Sequence, residues 1–333
     1  MTTAPASIVR SAVAVPMGPT AVHVLARRGD RGPWSIIADL PDGDREPAGP
    51  PPGALVLAGI ASCTIVTVAG VASRGASALE GMTVSFDVDA EGDRLEIRDR
   101  TVISSHASDT DRLRFTRAAA GCPVGKIFTQ RAIAIEDAVE LREGGREALA
   151  VPPAPVFASG TVSATWLPAT CEWSDRDGRR LLEQEGEVAI HIDVAAPGSR
   201  RSRFGLLGGH SRAGWAPRPS PYAMAGLASS TLMTLRVQAA RLGLDPSTLH
   251  VEVRALSPVP DGGKEGAQEA AASGKLPQVR WSRTVSARVT AGAQTDAVLE
   301  AMRRDPIYGH CMRGDLFRSR ELVIEPARVA TAS

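Results

Sequence analysis

The sequence predicts an α+β protein built from one unit written twice. Three observations carry that reading. Blocks of residues recur in the same order in both halves, several segments alternate apolar and polar residues, and one long segment holds no charge. The chain has 333 residues, enough for two domains or one large one. Apolar residues make up 43 %, which leaves material for a real core.

In chain order, strand-like segments run from the N-terminus to about Leu40. The GPPPG bend at Gly49–Gly53 then opens a helix reaching about Ser73, and nothing between Gly53 and Ser73 is charged. That length could span a bilayer. Its Gly, Ser, Thr and Ala content and its match elsewhere in the chain favour a helix buried on all sides. MTVSFDVDA alternates as a half-buried strand should, and LEIRDRTVISS follows as another strand. DTDRLRFTRAAAGC opens with Asp and Thr caps and reads as an amphipathic helix, before RAIAIEDAVEL returns as a strand. Each unit is then a mainly antiparallel sheet plus two helices.

The repeat is long and degenerate. LAGIASCTIVTV around Cys63 matches MAGLASSTLMTL around Ser230. GCPVGKIFTQRAIAIE matches HCMRGDLFRSRELVIE, which sets Cys122 against Cys311, and Arg100-Thr101-Val102 matches Arg283-Thr284-Val285 between them. Cys63 to Cys122 is 59 positions and Ser230 to Cys311 is 81, a difference of 22. Much of the excess falls in PVPDGGKEGAQEAAASGKLP, which reads as a surface loop. The predicted organisation is a first unit at 1–150, a Pro-rich linker at 151–160 and a second unit at 161–333.

Charge narrows the function. Against 38 basic residues stand 37 acidic ones, a net charge of +1, so no electrostatic case exists for nucleic acid or an anionic membrane. Aromatics, at 4 %, are too sparse for stacking platforms on single strands. Cys63, Cys122, Cys171 and Cys311 form no CxxC pair and no Cys/His cluster with zinc spacing, so neither a metal nor a cofactor is expected. No secretory signal is evident, and the expected setting is cytoplasmic, with reduced thiols. GLLGGHSRAG at Gly205–Gly214 lacks phosphate-loop spacing and reads as a lid or loop.

AGIASCT (Ala58–Thr64), ALEGMTVSF (Ala78–Phe86) and AGCPVGK (Ala120–Lys126) resemble the OsmC/Ohr family, the osmotically inducible and organic hydroperoxide resistance proteins. The resemblance covers most of residues 20–140, and more weakly about 165–328. It implies two OsmC-like units forming an intramolecular pseudo-dimer, with long central helices buried between them. It implies thiol-dependent reduction of organic hydroperoxides, with Cys63 attacking and Cys122 resolving. An arginine from the early sheet would activate the thiol: Arg28 is favoured over Arg27 and Arg31, and Arg179 or Arg180 could serve across the interface. The family's peroxidase branch holds that arginine with an upstream glutamate. Gly53 and Ala54 stand in that region here, so the arginine–thiolate geometry is either held otherwise or absent, which leaves room for different thiol chemistry. The second unit carries Ser230 where the first has Cys63, so it is expected to be inactive as a peroxidase, with Cys311 keeping the resolving position. Cys171 is expected to be structural.

The chemistry needs these residue types. A thiol must ionise to attack an O–O bond, and a neighbouring arginine favours the thiolate and the departing alkoxide. A second thiol condenses with the sulfenic acid before over-oxidation, and an external thiol restores both. The expected partners are a small substrate with an apolar part and a thiol reductant, and association of fused chains is left open. Two rival readings stand beside this one. In the first, Cys63 is an acyl-transfer nucleophile on a thioester, an ester or a β-diketone-type bond, with His23, His106 or His191 as base. In the second, the protein is a non-catalytic module that holds an apolar ligand.

Overall fold

The computed structural model describes residues 10–28, 31–40, 45–73, 79–91, 94–146, 156–174, 180–195, 200–209, 216–256, 279–290 and 292–326. Side chains at 31, 167–174 and 180–187 lie outside that description. The first half runs β1 (Arg10–Pro16), β2 (Val22–Arg28), β3 (Arg31–Ala38), α1 (Pro52–Ala72), β4 (Gly81–Glu91), β5 (Arg94–Ser104), α2 (Asp109–Ala120), α3 (Pro123–Thr129) and β6 (Ile133–Glu143). The second half repeats the order: β7 (Ser159–Ser174), β8 (Arg180–Ala195), β9 (Ser202–Gly209), α4 (Pro219–Val237), the short α5 (Ala239–Leu242), β10 (His250–Leu256), β11 (Val279–Val289), α6 (Thr295–Arg303), α7 (Pro306–Arg313) and β12 (Ser319–Glu325).

The halves exchange strands. One sheet has the order β3-β2-β1-β10-β11-β6 and the other β9-β8-β7-β4-β5-β12. Each takes three strands and an edge strand from one half and a central hairpin from the other. Pairing is antiparallel except at β11–β6 and β12–β5, where the returning edge strand runs parallel. The fold is therefore α+β, with two equivalent halves entwined as a pseudo-dimer, and neither half forms a complete sheet alone.

The central helices fill the space between the sheets. α1 packs on β7, β4 and β8, α4 packs on β1, β2 and β10, and the two helices pack on each other. Their contact is reciprocal. A Cβ on Gly59 would lie 2.8 Å from Ala223 N and 2.9 Å from Pro219 O. A Cβ on Gly226 would lie 2.7 Å from Pro52 O and 3.0 Å from Val56 N. Position i meeting j while j meets i is the signature of a two-fold interface, here within one chain. The uncharged α1 is long and apolar enough to cross a membrane, yet every residue from Pro52 to Ile65 is buried inside the protein.

Local signals explain the smaller helices. Ser108 caps α2 by accepting the Asp111 N–H, with Asp109 and Asp111 in the first turn, where negative charge suits the helix dipole.

Four expectations need correction. The linker ends earlier than 160: Ser159 and Gly160 already belong to β7, and Val156–Ala158 are buried, with Val156 O accepting the Gly53 N–H. Gly205–Gly209 is strand β9 rather than loop, while 210–214 lie outside the described residues, as does the loop between β10 and β11. The Arg-Thr-Val match is out of phase: Arg283 is buried on the inner face of β11, whereas Arg100 is exposed and Asp99 and Thr101 point inward. A one-residue slip in a strand exchanges its faces, so that block cannot be superposed as written. Finally, Cys311 is not the structural counterpart of Cys122, for a reason given below.

Candidate active site

Cys63 sits on α1 at the point where the helix approaches the surface. It is 7 % exposed, and beyond it Val66, Thr67, Gly70 and Val71 are half-buried. Residues three, four and seven positions on share a helix face, so this strip leads along one side of α1 to the thiol. The Thr67 hydroxyl donates to the Cys63 carbonyl at 2.7 Å and lies 4.0 Å from Cys63 Sγ.

Cys122 is the N-cap of α3, with Pro123 as the first helical residue. Its Sγ accepts the Gly125 N–H at 3.3 Å and lies 3.8 Å from Ile60 O, one turn before Cys63 on α1. A side chain at 125 would press on this sulfur: a Cβ there would lie 3.4 Å from it. The two thiols are both free and buried, and Cys122 Sγ meets α1 one turn before Cys63. The hydrogen bond to Cys122 and then burial push the Cys63 thiol well up. Burial would also push Cys122 up, but hydrogen bonds from Cys63, Gly125 N–H, Thr64 and Val124 N–H outweigh it and bring Cys122 down.

Arg10, at the start of β1, feels the charge of Cys63. It lies in phase with the buried Ala12 and Ala14, on the sheet's inner face. Burial lowers its pKa and Cys63 opposes that shift. Its Nε is buried and has no hydrogen-bond partner among the described residues. Arg28, the candidate from sequence, stands directly opposite Arg10 in the β1–β2 register, on the same face as Val24 and Ala26. Arg27 points outward, and the side chains of Arg31, Arg179, Arg180 and Cys171 lie outside the described residues. Arg10 shares the parity of Ala12 and Ala14, the buried alanines of RSAVAV, so its face was legible in principle.

The candidate acyl-transfer bases are not at this thiol. His23 faces out of the first sheet and bonds Ser35 Oγ at 2.7 Å. His191 faces out of the second sheet, between the buried Ile190 and Ile192, and His106 is exposed ahead of α2. The strand alternation that buries their neighbours carries His23 and His191 away from the core. His310 and Cys311 lie on helix α7, not on a strand.

In the second half, Ser230 occupies the α4 position equivalent to Cys63, but its partner is Asp305. Ser230 Oγ donates to Asp305 Oδ1 at 2.5 Å and Thr231 Oγ1 to Asp305 Oδ2 at 2.5 Å. Asp305 is the N-cap of α7, followed by Pro306, so the residue corresponding to Cys122–Pro123 is Asp305–Pro306. Cys311 lies six residues further on, in the core, where Phe128 lies in the first half. Among the described residues no group of three or more His, Cys, Asp or Glu side chains could hold a metal ion.

Comparison with known proteins agrees with the first site. Residues 42–136 match the family model described as OsmC-like protein, a span that includes Cys63, Cys122 and all of α1 to α3. Curated proteins and solved structures gave no significant match. The first half of this chain thus carries an OsmC-like domain, and both of its thiols fall inside it.

Proposed function

We propose that the Cys63–Cys122 pair is a thiol peroxidase centre for organic hydroperoxides. The observation that carries this reading is the placement of two free, buried thiols: Cys122 caps α3 with its Sγ 3.8 Å from Ile60 O, one turn before Cys63 on α1, and the buried Nε of Arg10 has no hydrogen-bond partner among the described residues. An inert core cysteine needs neither companion.

The steps follow from the arrangement. Cys63 is the more exposed sulfur and attacks the O–O bond as its thiolate, its proton going to the departing alkoxide. The peroxide leaves as an alcohol once its alkoxide takes up a proton, and Arg10 stabilises the developing negative charge. Cys63 is now a sulfenic acid. Cys122 attacks it, water departs, and a disulfide remains. One hydroperoxide and two thiols give one disulfide, one alcohol and one water. An external dithiol then reduces the protein by exchange.

Stopped-flow mixing of the reduced protein with cumene hydroperoxide tests the reading, using the wild type beside Arg10→Met. Loss of a preorganised charge at the reacting atoms should slow the wild-type reaction by about 100-fold. An unchanged rate would remove Arg10 from the mechanism.

The half-buried strip on α1 gives a second expectation. Gly70 lies seven residues beyond Cys63 on the same face, about 10 Å along the axis. A Cβ on Gly70 meets nothing within 4 Å. The organic part of the substrate lies along this strip. Gly70→Leu should lower kcat/KM for cumene hydroperoxide by about 10-fold while leaving hydrogen peroxide unaffected. Equal effects on both peroxides would show that the strip does not hold the organic group.

A further inference from the structure

We infer that the Ser230–Thr231–Asp305 cluster is the second copy of the thiol site, with its redox chemistry exchanged for a buried ionic anchor. The correspondence is local and specific. Cys63-Thr64 maps to Ser230-Thr231 on the two crossing helices, as Gly59 maps to Gly226. Cys122 (φ −51°, ψ 120°) and Asp305 (φ −58°, ψ 121°) are N-caps of similar conformation, and each is followed by proline. In both copies the cap side chain reaches back to the central helix: Cys122 to Cys63 and Thr64, Asp305 to Ser230 and Thr231.

What replaced the sulfurs is a closed polar network. Asp305 also accepts the Ile307 N–H at 2.9 Å. Arg283 Nη1 donates to Thr231 Oγ1 at 3.0 Å and lies 3.4 Å from Asp305 Oδ2. The same guanidinium grips Asp137 with two bonds, Nε–Oδ1 at 2.8 Å and Nη2–Oδ2 at 2.9 Å, and stacks over the Tyr308 ring. The side chains of Arg283 and Asp305 are both fully buried. Asp137 belongs to β6, from the first half, whereas Arg283, Asp305 and Thr231 come from the second. The anchor therefore ties the edge strand of one half to the helices of the other. It replaces a site that would need to open to substrate, so the fused chain is left with one redox centre.

The inference rests on the redox reading of Cys63–Cys122 only for the chemistry of the ancestral pair, and the test separates the two. In a Ser230→Cys/Asp305→Cys variant treated with diamide, peptide mapping should find a second disulfide, each bond giving two electrons and two protons to the diamide. The donor and acceptor atoms now 2.5 Å apart occupy positions that sulfurs can bridge. The Cys63–Cys122 bond, scored in the same digest, reports on the first site independently. A folded variant that forms the first disulfide and never the second overturns the correspondence. The anchor is tested in the otherwise native chain, which also decides the matter if the double variant does not fold. Arg283→Met should lower Tm by at least about 5 °C, because two buried carboxylates lose their cation. An unchanged Tm would overturn the anchoring role.

Discussion

Cys63→Ser is expected to abolish hydroperoxide turnover, with kcat/KM for cumene hydroperoxide falling by at least about 1,000-fold. A serine hydroxyl neither ionises near neutral pH nor forms a sulfenic acid. The isosteric change should leave the fold intact, because a serine hydroxyl fits the space of the thiol and can keep its 4.0 Å approach to Thr67. Cys122→Ser should behave differently. Its loss removes the resolving thiol, so a single turnover stalls at the sulfenic acid, which dimedone would trap on Cys63. The two variants together assign the roles. If dimedone labelled Cys122 in a Cys63→Ser protein at the wild-type rate, the attacking sulfur would be the other one. That outcome has a physical route, since hydrogen bonds bring the Cys122 thiol down while the Cys63 thiol is pushed up. Against it stands access: Cys122 is 1 % exposed, beneath α1 and α3, and Cys63 opens onto the half-buried strip.

The second large effect concerns the helix crossing. Gly59→Val should destabilise the protein by about 3 kcal/mol or more, because the added carbon meets backbone atoms of α4 at 2.8 and 2.9 Å and the two helices must part. Gly226→Val should do the same through Pro52 O and Val56. Gly70→Ala, on the same helix as Gly59, is the control. Its Cβ meets nothing, and replacing a helical glycine gains about 0.5–1 kcal/mol. Chemical denaturation followed by circular dichroism would compare them. If Gly59→Val and Gly70→Ala moved stability alike, the close crossing of α1 and α4 would be wrong.

Much of the local structure was legible because it obeys short-range rules. The absence of charge from Gly53 to Ser73 marked α1 as an interior helix, and α1 is buried on every side as far as Ile65. Alternation in MTVSFDVDA marked β4, and the Asp/Thr opening placed α2 to within one residue. The pairing of Cys63 with Cys122 followed from the family resemblance rather than from spacing, since a separation of 59 positions fixes no distance by itself.

What failed was non-local. Which strand pairs with which cannot be read from one sequence, so the exchange of β4–β5 and β10–β11 between sheets was invisible. The matching of Cys122 with Cys311 failed because residue identity outweighed chemistry of position: a cap before proline is a structural slot, and Asp fills that slot as well as Cys. The Arg-Thr-Val match failed because three shared residues say nothing about which face of a strand they occupy. The sequence drew attention to Arg28 because it sits in a cluster of arginines. The face of β1 selects Arg10, and Arg28 is its cross-strand neighbour.

The most direct measurement locates the disulfide. Reduced protein receives one equivalent of cumene hydroperoxide, is quenched with an alkylating agent and is digested without reductant. The account predicts one linked pair, Cys63 with Cys122, formed as fast as the peroxide is consumed, with Cys311 alkylated only after unfolding. Peroxide consumption with Cys63 and Cys122 both recovered as free alkylated thiols would contradict it.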